Sequence, residues 1–271
     1  MLQRLGIVAL AVLLPTTLYA ASYDPILGQI KPYSITLIGE SHQKVESVSL
    51  FKNLVLDALK EYPCIIVGLE IASDQQPVLD AVMRGDSSVN DIELWPPVDH
   101  FAFRIMIEYF ATLKRHGRCI TMVAIDAGMD TVVNRDQWMA LRLGEQVGKI
   151  PVLVLVGALH TLKAVNWITT NGKPFLAENL VNGGFNVTSY PQHWMQEQCN
   201  GLVKGSFVSN ESPRALSLLN ESLMSLLNAK PHRSIMGVVD GFIVWECGVD
   251  WKGDSWLIDM SVSVGIIYEN I

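Results

Sequence analysis

Two stretches of the sequence decide the fold: Ile35-Thr36-Leu37-Ile38-Gly39-Glu40-Ser41-His42 and Leu153-Val154-Leu155-Val156-Gly157-Ala158-Leu159-His160. Each one is a short, mainly apolar run that ends in Gly-x-x-His. Glycine lets the chain leave a strand through a backbone conformation that is costly for other residues. Each stretch therefore predicts a buried strand, a tight turn and a histidine close to the beginning of a helix. Their similarity has two explanations: chance, or a domain built from two pseudo-repeated halves.

The rest of the chain continues this alternation of strands and helices. Apolar runs of strand length are separated by longer segments in which apolar residues recur at helical spacing. The predicted strands are Ser34–Ile38, Cys64–Leu69, Cys119–Ile125, Pro151–Val156, Phe185–Tyr190 and Val238–Trp245. The predicted helices are Lys44–Tyr62, Asp74–Arg84, His100–His116, Arg135–Val147, Thr161–Thr170 and Pro213–Asn228. This pattern indicates an α/β fold, with a central, mostly parallel or mixed sheet and helices on both faces.

The first 20 residues have the layout of a secretory signal peptide. Arg4 is their only charged residue, an apolar run occupies Leu5–Leu14, and Ala20 offers a small residue for cleavage. The run is shorter than the about 20 residues that a membrane-spanning helix needs. A short amphipathic anchor is the alternative. We therefore expect an exported protein, periplasmic or secreted, in which residues 21–271 form a single domain.

The charge of the chain argues against nucleic acid as a partner. There are 20 basic and 27 acidic residues, and removal of Arg4 with the signal peptide leaves a net charge of −8. No cluster of lysine and arginine interrupts this balance, whereas binding to phosphate backbones needs a basic stripe. No later apolar stretch reaches the length of a membrane-spanning helix. We expect no integral membrane segment once the signal peptide is cleaved.

Four cysteines stand at positions 64, 119, 199 and 247, without the C-x-x-C spacing of zinc or thioredoxin-type sites. An exported protein meets an oxidising compartment in which disulfides persist. Cys64 and Cys119 each begin a predicted strand, so neighbouring parallel strands would bring their sulfur atoms level. We expect a Cys64–Cys119 bond and a Cys199–Cys247 bond. The alternative is buried free thiols that behave as small apolar side chains.

Polar residues directly follow several of the predicted strands. They are Gly39–His42, Glu70, Asp126 and Gly157–His160. Ligands bind beyond the carboxyl ends of the strands in such sheets, so we expect His42 and His160 to converge on one cavity with Glu70. A histidine near a helix N-terminus is biased towards its neutral form, which can act as a base or a metal ligand. The alternative is that both histidines are structural parts of their turns.

Glu40 and Glu70 are the carboxylates expected beside the two histidines. Both close apolar strands, where an unpaired ionised carboxylate is costly. Each one is then a partner in a buried salt bridge, or else a metal ligand or general acid–base group. Arg135 and Asp136 begin a predicted helix and can reach the same rim of the sheet. Arg104, inside another predicted helix, either pairs with a carboxylate or lies exposed.

Several short motifs, in this order along the chain, resemble the ChaN-type haem-binding uptake proteins. They are Ile38-Gly39-Glu40-Ser41-His42, Gly68-Leu69-Glu70-Ile71, Asp74-Gln75-Gln76-Pro77-Val78-Leu79-Asp80, Asn134-Arg135-Asp136 with Met139-Ala140, and Val156-Gly157-Ala158-Leu159-His160. ChaN proteins belong to a broader superfamily with the TIKI and TraB proteins and the erythromycin esterases. The resemblance covers roughly residues 34 to 165 and leaves the C-terminal third poorly matched.

The resemblance implies three different chemistries. ChaN proteins bind haem for iron acquisition, TIKI proteins are metal-dependent proteases with two Gly-x-x-His motifs, and erythromycin esterases activate water with a similarly placed Glu and His. Carried onto this chain, the resemblance implies roles for Glu40, His42, Glu70 and His160. Two departures weaken the haem-carrier interpretation. No tyrosine here matches the haem ligand of ChaN proteins, and no cysteine near the cleavage site matches the lipid anchor that many of them carry.

We therefore expect a hydrolase-like site that acts on an ester or peptide bond of a small-molecule or peptide substrate. His42 and His160 would act on water or on a divalent metal ion such as manganese, cobalt or zinc, with His42, Glu70 and His160 as metal ligands. Glu40 would be a general base or ligand, Glu70 a ligand or an orienter of histidine, and Arg135 completes the catalytic set. The alternative is a non-catalytic haem- or metal-binding protein in iron uptake. A third possibility is a scaffold that keeps the turns for structure alone.

Overall fold

The computed structural model describes residues 23–128, 133–196, 198–199 and 202–248. The predicted signal peptide, residues 1–20, lies outside the described residues. The strands are β1 (Ser34–Glu40), β2 (Cys64–Ala72), β3 (Cys119–Asp126), β4 (Val152–Gly157), β5 (Asn186–Trp194), β6 (Val203–Ser209) and β7 (Gly241–Cys247). The α-helices are α1 (Asp24–Leu27), α2 (Val45–Glu61), α3 (Gln76–Arg84), α4 (Phe101–Arg115), α5 (Arg135–Gly144), α6 (Leu176–Asn182) and α7 (Pro213–Leu218). None of the helices in these ranges is long and apolar enough to cross a membrane.

The described strands form one seven-stranded sheet in the order β3–β2–β4–β1–β5–β7–β6. Neighbouring strands are parallel, except that β6 runs antiparallel to β7 at one edge. The predicted α/β class with a mixed sheet is confirmed. β1 and β4, which carry the two Gly-x-x-His stretches, are neighbours in the interior of the sheet.

Helices cover both faces of the sheet, as expected. Successive side chains of a strand point to opposite faces. Leu155 of β4 therefore packs in the core with α2, α3 and α4, while Val154 and Val156 pack with α5 and α6. Every residue of β1 and β4 is buried, which explains why both strands are continuous apolar runs. A third apolar cluster, around Leu219 and Phe242, belongs to the C-terminal third of the chain.

One predicted helix is wrong. A single 3₁₀ turn spans Ala158–Thr161, and the predicted helix at Thr161–Thr170 does not form. Leu162 instead buries its side chain in the C-terminal apolar cluster. The backbone N–H of Lys163 donates to the Val238 carbonyl at 3.0 Å, and its Nζ pairs with Asp240 at 2.7 Å. These long-range bonds outweigh the local helical preference.

The other predicted elements are present with small shifts at their ends, and three further helices and strands, α1, α6 and β6, were not foreseen. The helix predicted at Pro213–Asn228 continues from α7 through a π-helical segment, Leu219–Met224. β6 was missed because it is a partly exposed edge strand without a continuous apolar run. α6 was missed because its seven residues are too few to display helical periodicity.

Both expected disulfides are present. Cys64 and Cys119 lie opposite each other in the register of β2 and β3, with their Cα atoms 4.5 Å apart. Cys199 and Cys247 are joined at a Cα–Cα distance of 5.6 Å. The first bond ties two neighbouring strands together at their amino ends, and the second ties the end of β7 to the segment after β5.

Removal of the Cys64–Cys119 bond should destabilise the fold. The bond links residues that are 55 positions apart, and a loop of that length corresponds to about 4 kcal/mol of unfolding free energy in the chain-entropy model. We expect the double variant Cys64→Ala/Cys119→Ala to lose stability of this order in urea unfolding monitored by circular dichroism. A variant within about 1 kcal/mol of the parent would contradict a bond that constrains the unfolded chain.

Candidate functional site

The two Gly-x-x-His turns meet at the carboxyl ends of β1 and β4. The strand register places Gly39 beside Val156 and Glu40 beside Gly157. A cavity of about 740 Å³ opens over this junction. Its lining includes both histidines, and His160 Nε2 lies 3.8 Å from Glu70 Oε1. The structure thus places His42 and His160 on one cavity, as expected, whereas Glu70 is buried beside His160 and is not among the residues that line the cavity.

The glycines of both turns stand where a side chain would not fit. A Cβ atom on Gly39 would lie 2.8 Å from the Cα of Ala158 and 2.9 Å from the Cα of Pro191. A Cβ atom on Gly157 would lie 3.2 Å from His42 Nε2 and 3.5 Å from His160 Cδ2. The first glycine lets the backbones approach closely. The second leaves room for the two imidazole rings at the same point.

Glu40 holds His42 in one orientation. The Nδ1 atom of His42 is 2.9 Å from Glu40 Oε1, and the glutamate side chain is buried while the histidine side chain is 30% exposed. Burial lowers the pKa of His42, but the hydrogen bond to Glu40 and the negative charges of Glu70 and Glu40 outweigh it, so that the pKa is raised above 6.5. Because Nδ1 is engaged, Nε2 is the ring nitrogen that remains for chemistry.

His160 has a matching partner in Asp136. Its Nδ1 atom is 2.6 Å from Asp136 Oδ1, which also accepts from the backbone N–H of Leu176 at 2.8 Å. Burial lowers the pKa of His160, and the hydrogen bond to Asp136 with the charges of Glu70 and Asp136 raises it above its usual value. Asp136 reaches the site because Asn134 caps α5 by accepting from the N–H of Gln137 at 3.0 Å. The site therefore contains two histidine–carboxylate pairs.

Arg135 binds two buried carboxylates at once. Its guanidinium group donates to Asp126 through Nε and an Nη atom, both at 2.7 Å, and to Glu70 Oε1. The other oxygen of Glu70 accepts from the backbone N–H of Gly157 at 2.7 Å. Both oxygens of Glu70 are therefore engaged. Of the two alternatives for Glu70, the buried salt bridge is the one that the structure contains.

The loop before α4 supplies two residues that the sequence did not reveal. Trp95 lies between the guanidinium of Arg135, 4.7 Å from its ring centroid, and the ring of His42, 6.0 Å away in an edge-on arrangement. His100 is close enough to Glu40 and His42 for their charges to affect its pKa, which burial lowers. No periodicity or motif marks either residue in the sequence. Arg104, in the first turn of α4, pairs with Asp99 at 2.7 Å, outside this network.

The C-terminal third of the chain forms one wall of the cavity. Gln192, His193 and Trp194 reach it from the end of β5, and Leu223 and Leu226 reach it from the segment after α7. Trp194 stacks on Trp245 with ring centroids 5.6 Å apart. The Nζ atom of Lys44 lies 5.9 Å from the Trp194 centroid. Trp194, Leu223 and Leu226 form the apolar part of this wall, which is suited to the hydrocarbon part of a ligand.

The expected metal ligands His42, Glu70 and His160 do not form a metal site in the described part of the chain. No group of three or more His, Cys, Asp or Glu residues in these ranges has an arrangement that holds a metal ion. The physical reason is that Glu70 is engaged by Arg135 and by the Gly157 N–H. A guanidinium group beside Glu70 also repels a cation. Of the three expected ligands, only the two histidines keep a ligand atom, Nε2, and the described residues do not fit a divalent metal.

Comparison with known proteins supports the fold. No model of a known protein family matches the sequence, and no curated protein matches it. Among solved structures, a mutant of the erythromycin esterase EreC in its open conformation matches with a TM-score of 0.53 and 11% identity, over 88% of this chain and 95% of that one. The fold is similar to that of an erythromycin esterase. An identity of 11% establishes similarity of fold alone.

A second solved structure is that of ChaN from Campylobacter jejuni, described with cofacial haem binding. It matches with a TM-score of 0.44 and 16% identity, over 65% of this chain and 87% of that one.

Neutralising Asp136 should lower the pKa of His160 and remove a pH-dependent part of the stability. The variant Asp136→Asn keeps an oxygen for the Leu176 N–H and loses the charge beside His160. A histidine whose folded-state pKa is raised contributes stability below its unfolded pKa of about 6.5, and that stability is lost as the pH rises through the folded value. We therefore expect the variant to be less stable than the parent in urea mainly below pH 6.5, with a smaller difference at higher pH. A deficit that does not change with pH would contradict the pairing.

Proposed function

We propose that this chain is a hydrolase in which His42 activates water for attack on an ester or peptide bond of a small-molecule or peptide substrate. The observation that carries the proposal is the hydrogen bond between His42 and the buried Glu40 at a cavity that also contains His160. A base oriented by a carboxylate beside a second histidine is the arrangement that acid–base hydrolysis needs.

Glu40 sets the direction in which His42 accepts a proton. In neutral His42, Nδ1–H donates to Glu40, so that the lone pair lies on Nε2. Nε2 takes a proton from water as the oxygen attacks the substrate carbonyl carbon. Glu40 stays ionised and stabilises the imidazolium that forms, the role that a carboxylate plays in a catalytic triad.

His160 then supplies the proton that the leaving group requires. Its Nδ1–H donates to Asp136, and its raised pKa favours the protonated ring. In this proposal the Nε2–H of His160 protonates the departing alkoxide or amine while the carbonyl carbon loses that bond. Arg135 counters the charge of Glu70 and Asp126, and Glu70 fixes the backbone N–H of Gly157. This set accounts for Glu40, His42, Glu70, Arg135 and His160 without a metal-dependent step.

Loss of either histidine should abolish most of the activity. We expect His42→Ala and His160→Ala each to lower kcat by about 10²–10⁴-fold, the range for a general acid or base. The double variant should be little worse than either single one, because residues that act as a unit are not additive. The measurement is a screen of ester and peptide substrates, with and without EDTA and added manganese, cobalt or zinc. EDTA should leave turnover unchanged, and the exposed His116 provides a matched control as His116→Ala.

One result of that screen would overturn the hydrolase, and another would overturn only its metal-independent mechanism. The first is the absence of turnover under every metal condition together with tight haem binding and a Soret band. That result would support the alternative, a haem- or metal-binding protein in iron uptake, with His42, His160 or His193 as the cavity residues able to ligate haem iron. The other is metal-stimulated turnover that EDTA removes, which would support a metal-dependent site.

The dependence of activity on pH follows from the two raised pKa values. His42 must be neutral to act as a base, so kcat should rise as the pH increases through a value above 6.5. His160 must be protonated to act as an acid, so kcat should fall as the pH increases through its own raised pKa. We expect a bell-shaped profile of kcat whose rising limb lies above pH 6.5. A profile that reaches its plateau below pH 5.5 would contradict His42 as the base, since about one pH unit below its ordinary pKa it is mostly protonated.

We also propose that the protein works outside the cytoplasm. The two disulfides are compatible with an oxidising compartment, and the sequence of the first 20 residues has the layout of a signal peptide.

A further inference from the structure

We propose that Gln192 is a positioning residue of the Glu40–His42 pair, acting through the second oxygen of the Glu40 carboxylate. The expected effects on kcat and KM rest on the proposed function. The expected effect on the titration of His42 does not. It gives the C-terminal third of the chain a part in the chemistry, since Gln192 lies near the end of β5.

The sheet places Gln192 beside Glu40. β1 and β5 are parallel neighbours, and their recorded register runs from Ser34 to Gly39, which pairs with Pro191. Glu40 and Gln192 take the next position on the two strands. Two residues earlier, Ile38 pairs with Tyr190, and both side chains belong to the same core cluster. Side chains two positions apart on a strand share a face, so Glu40 and Gln192 project from the same face at neighbouring positions.

Trp245 fixes which end of the Gln192 amide is the donor. The indole Nε1–H of Trp245 donates to Gln192 Oε1 at 2.8 Å, and an indole nitrogen can only donate. The indole is itself held by stacking on Trp194. The amide therefore cannot flip without losing this buried bond. Its Nε2 atom is left as the donor end, buried and without an acceptor among the described residues.

The carboxylate of Glu40 lacks a hydrogen-bond donor at one of its two oxygen atoms. Its Oε1 atom is engaged by His42, while its Oε2 atom is buried and has no donor within the described ranges. Buried polar groups in folded proteins are nearly always hydrogen-bonded. We infer that Gln192 Nε2 donates to Glu40 Oε2 on the neighbouring strand. A small rotamer change or one bridging water would complete this bond. A donor on Oε2 would hold the carboxylate in the orientation in which Oε1 reaches His42.

Other charged and titratable groups also act on this pair. Glu70 and Arg135 affect the charge on His42, and His100 faces Glu40 from the N-terminal end of α4. His100 Nε2 is likewise buried without a partner among the described residues. Gln192 differs from His100 in that Trp245 fixes its donor end, whereas the tautomer of His100 is not fixed by any bond to that nitrogen.

The test uses two variants of Gln192 in the full protein. Gln192→Glu keeps the shape and an oxygen for the Trp245 indole, but replaces the donor by a second carboxylate oxygen. Gln192→Met keeps the length of the side chain and removes hydrogen bonding. Gln29→Glu, at an exposed position in the N-terminal part of the chain, adds the same charge away from the cavity as a matched control. The first measurement is the titration of the His42 ring by NMR, with His42→Ala used to assign its signal.

We expect Gln192→Glu to raise the midpoint of the His42 titration by on the order of one pH unit, because a new carboxylate near the pair favours the imidazolium. Gln29→Glu should leave the midpoint unchanged. Where turnover is measurable, Gln192→Met should lower kcat by about 10–100-fold, the range for loss of a partner that orients a functional group. KM should stay within about twofold, because a residue that acts through Glu40 leaves substrate binding intact.

Two outcomes would overturn the inference. One is a His42 titration that is the same in both Gln192 variants and the parent. The other is a variant that raises KM alone, which would make Gln192 a substrate contact. The NMR titration does not depend on turnover. A protein that hydrolyses nothing but shows the shifted His42 titration would refute the hydrolase and leave the coupling of Gln192 to His42 established.

Discussion

The site depends on the ion pairs that Arg135 makes with Glu70 and Asp126. Both carboxylates are buried at the carboxyl ends of neighbouring strands, β2 and β3, where an uncompensated negative charge is costly. A single guanidinium group compensates both and ties the beginning of α5 to the sheet. Glu70 then extends the network to the N–H of Gly157, at the turn that carries His160. The ion pairs of Arg135 with Glu70 of β2 and Asp126 of β3 therefore help to fix the position of the turn that carries His160.

The ion pairs of Arg135 also place the neighbouring residue, Asp136, beside His160. Because Arg135 is held against the sheet, Asp136 at the next position of the same helical turn is brought to His160. Trp95 packs on the guanidinium and meets His42 with its edge, so the loop before α4 is fixed to the same centre. A substitution at Arg135 would thus disturb both histidine–carboxylate pairs at once. For that reason Arg135 cannot serve as a test of either pair alone.

The sequence was sufficient to predict those features of the site that follow from the positions of residues at the ends of strands. Apolar strands separated by amphipathic helices indicate a sheet covered on both faces, and the polar residues after those strands then have to gather at one edge. This is why the meeting of His42, His160 and Glu70 was predictable without knowing that β1 and β4 are neighbours. The partner of each residue was not predictable. The pairing of His160 with Asp136, 24 positions away, and of Gln192 with Trp245, 53 positions away, depends on tertiary contacts that no local pattern records.

Tertiary contacts also explain why the predicted metal ligands, His42, Glu70 and His160, do not form a metal site among the described residues. Their types and strand-end positions suit a metal, but the sequence could not show that Arg135 already occupies Glu70. The C-terminal third lacked motifs because it contributes scattered side chains to the cavity. They carry no signature outside their three-dimensional setting: Gln192, His193, Trp194, Ser222, Leu223 and Leu226.

The charge balance of the site favours proton transfer. Four carboxylates, those of Glu40, Glu70, Asp126 and Asp136, gather around one guanidinium group and two histidines. With both rings neutral, the negative charges exceed the positive charge of Arg135, and each proton taken up by a histidine reduces the excess. The hydrogen bonds to Glu40 and Asp136, followed by the negative charges of these partners and of Glu70, raise the pKa values of His42 and His160. A metal ion bound through their Nε2 atoms would have to displace the same protons. Two oriented imidazoles with raised pKa values, one at each Gly-x-x-His turn, suit the proposed general base and general acid.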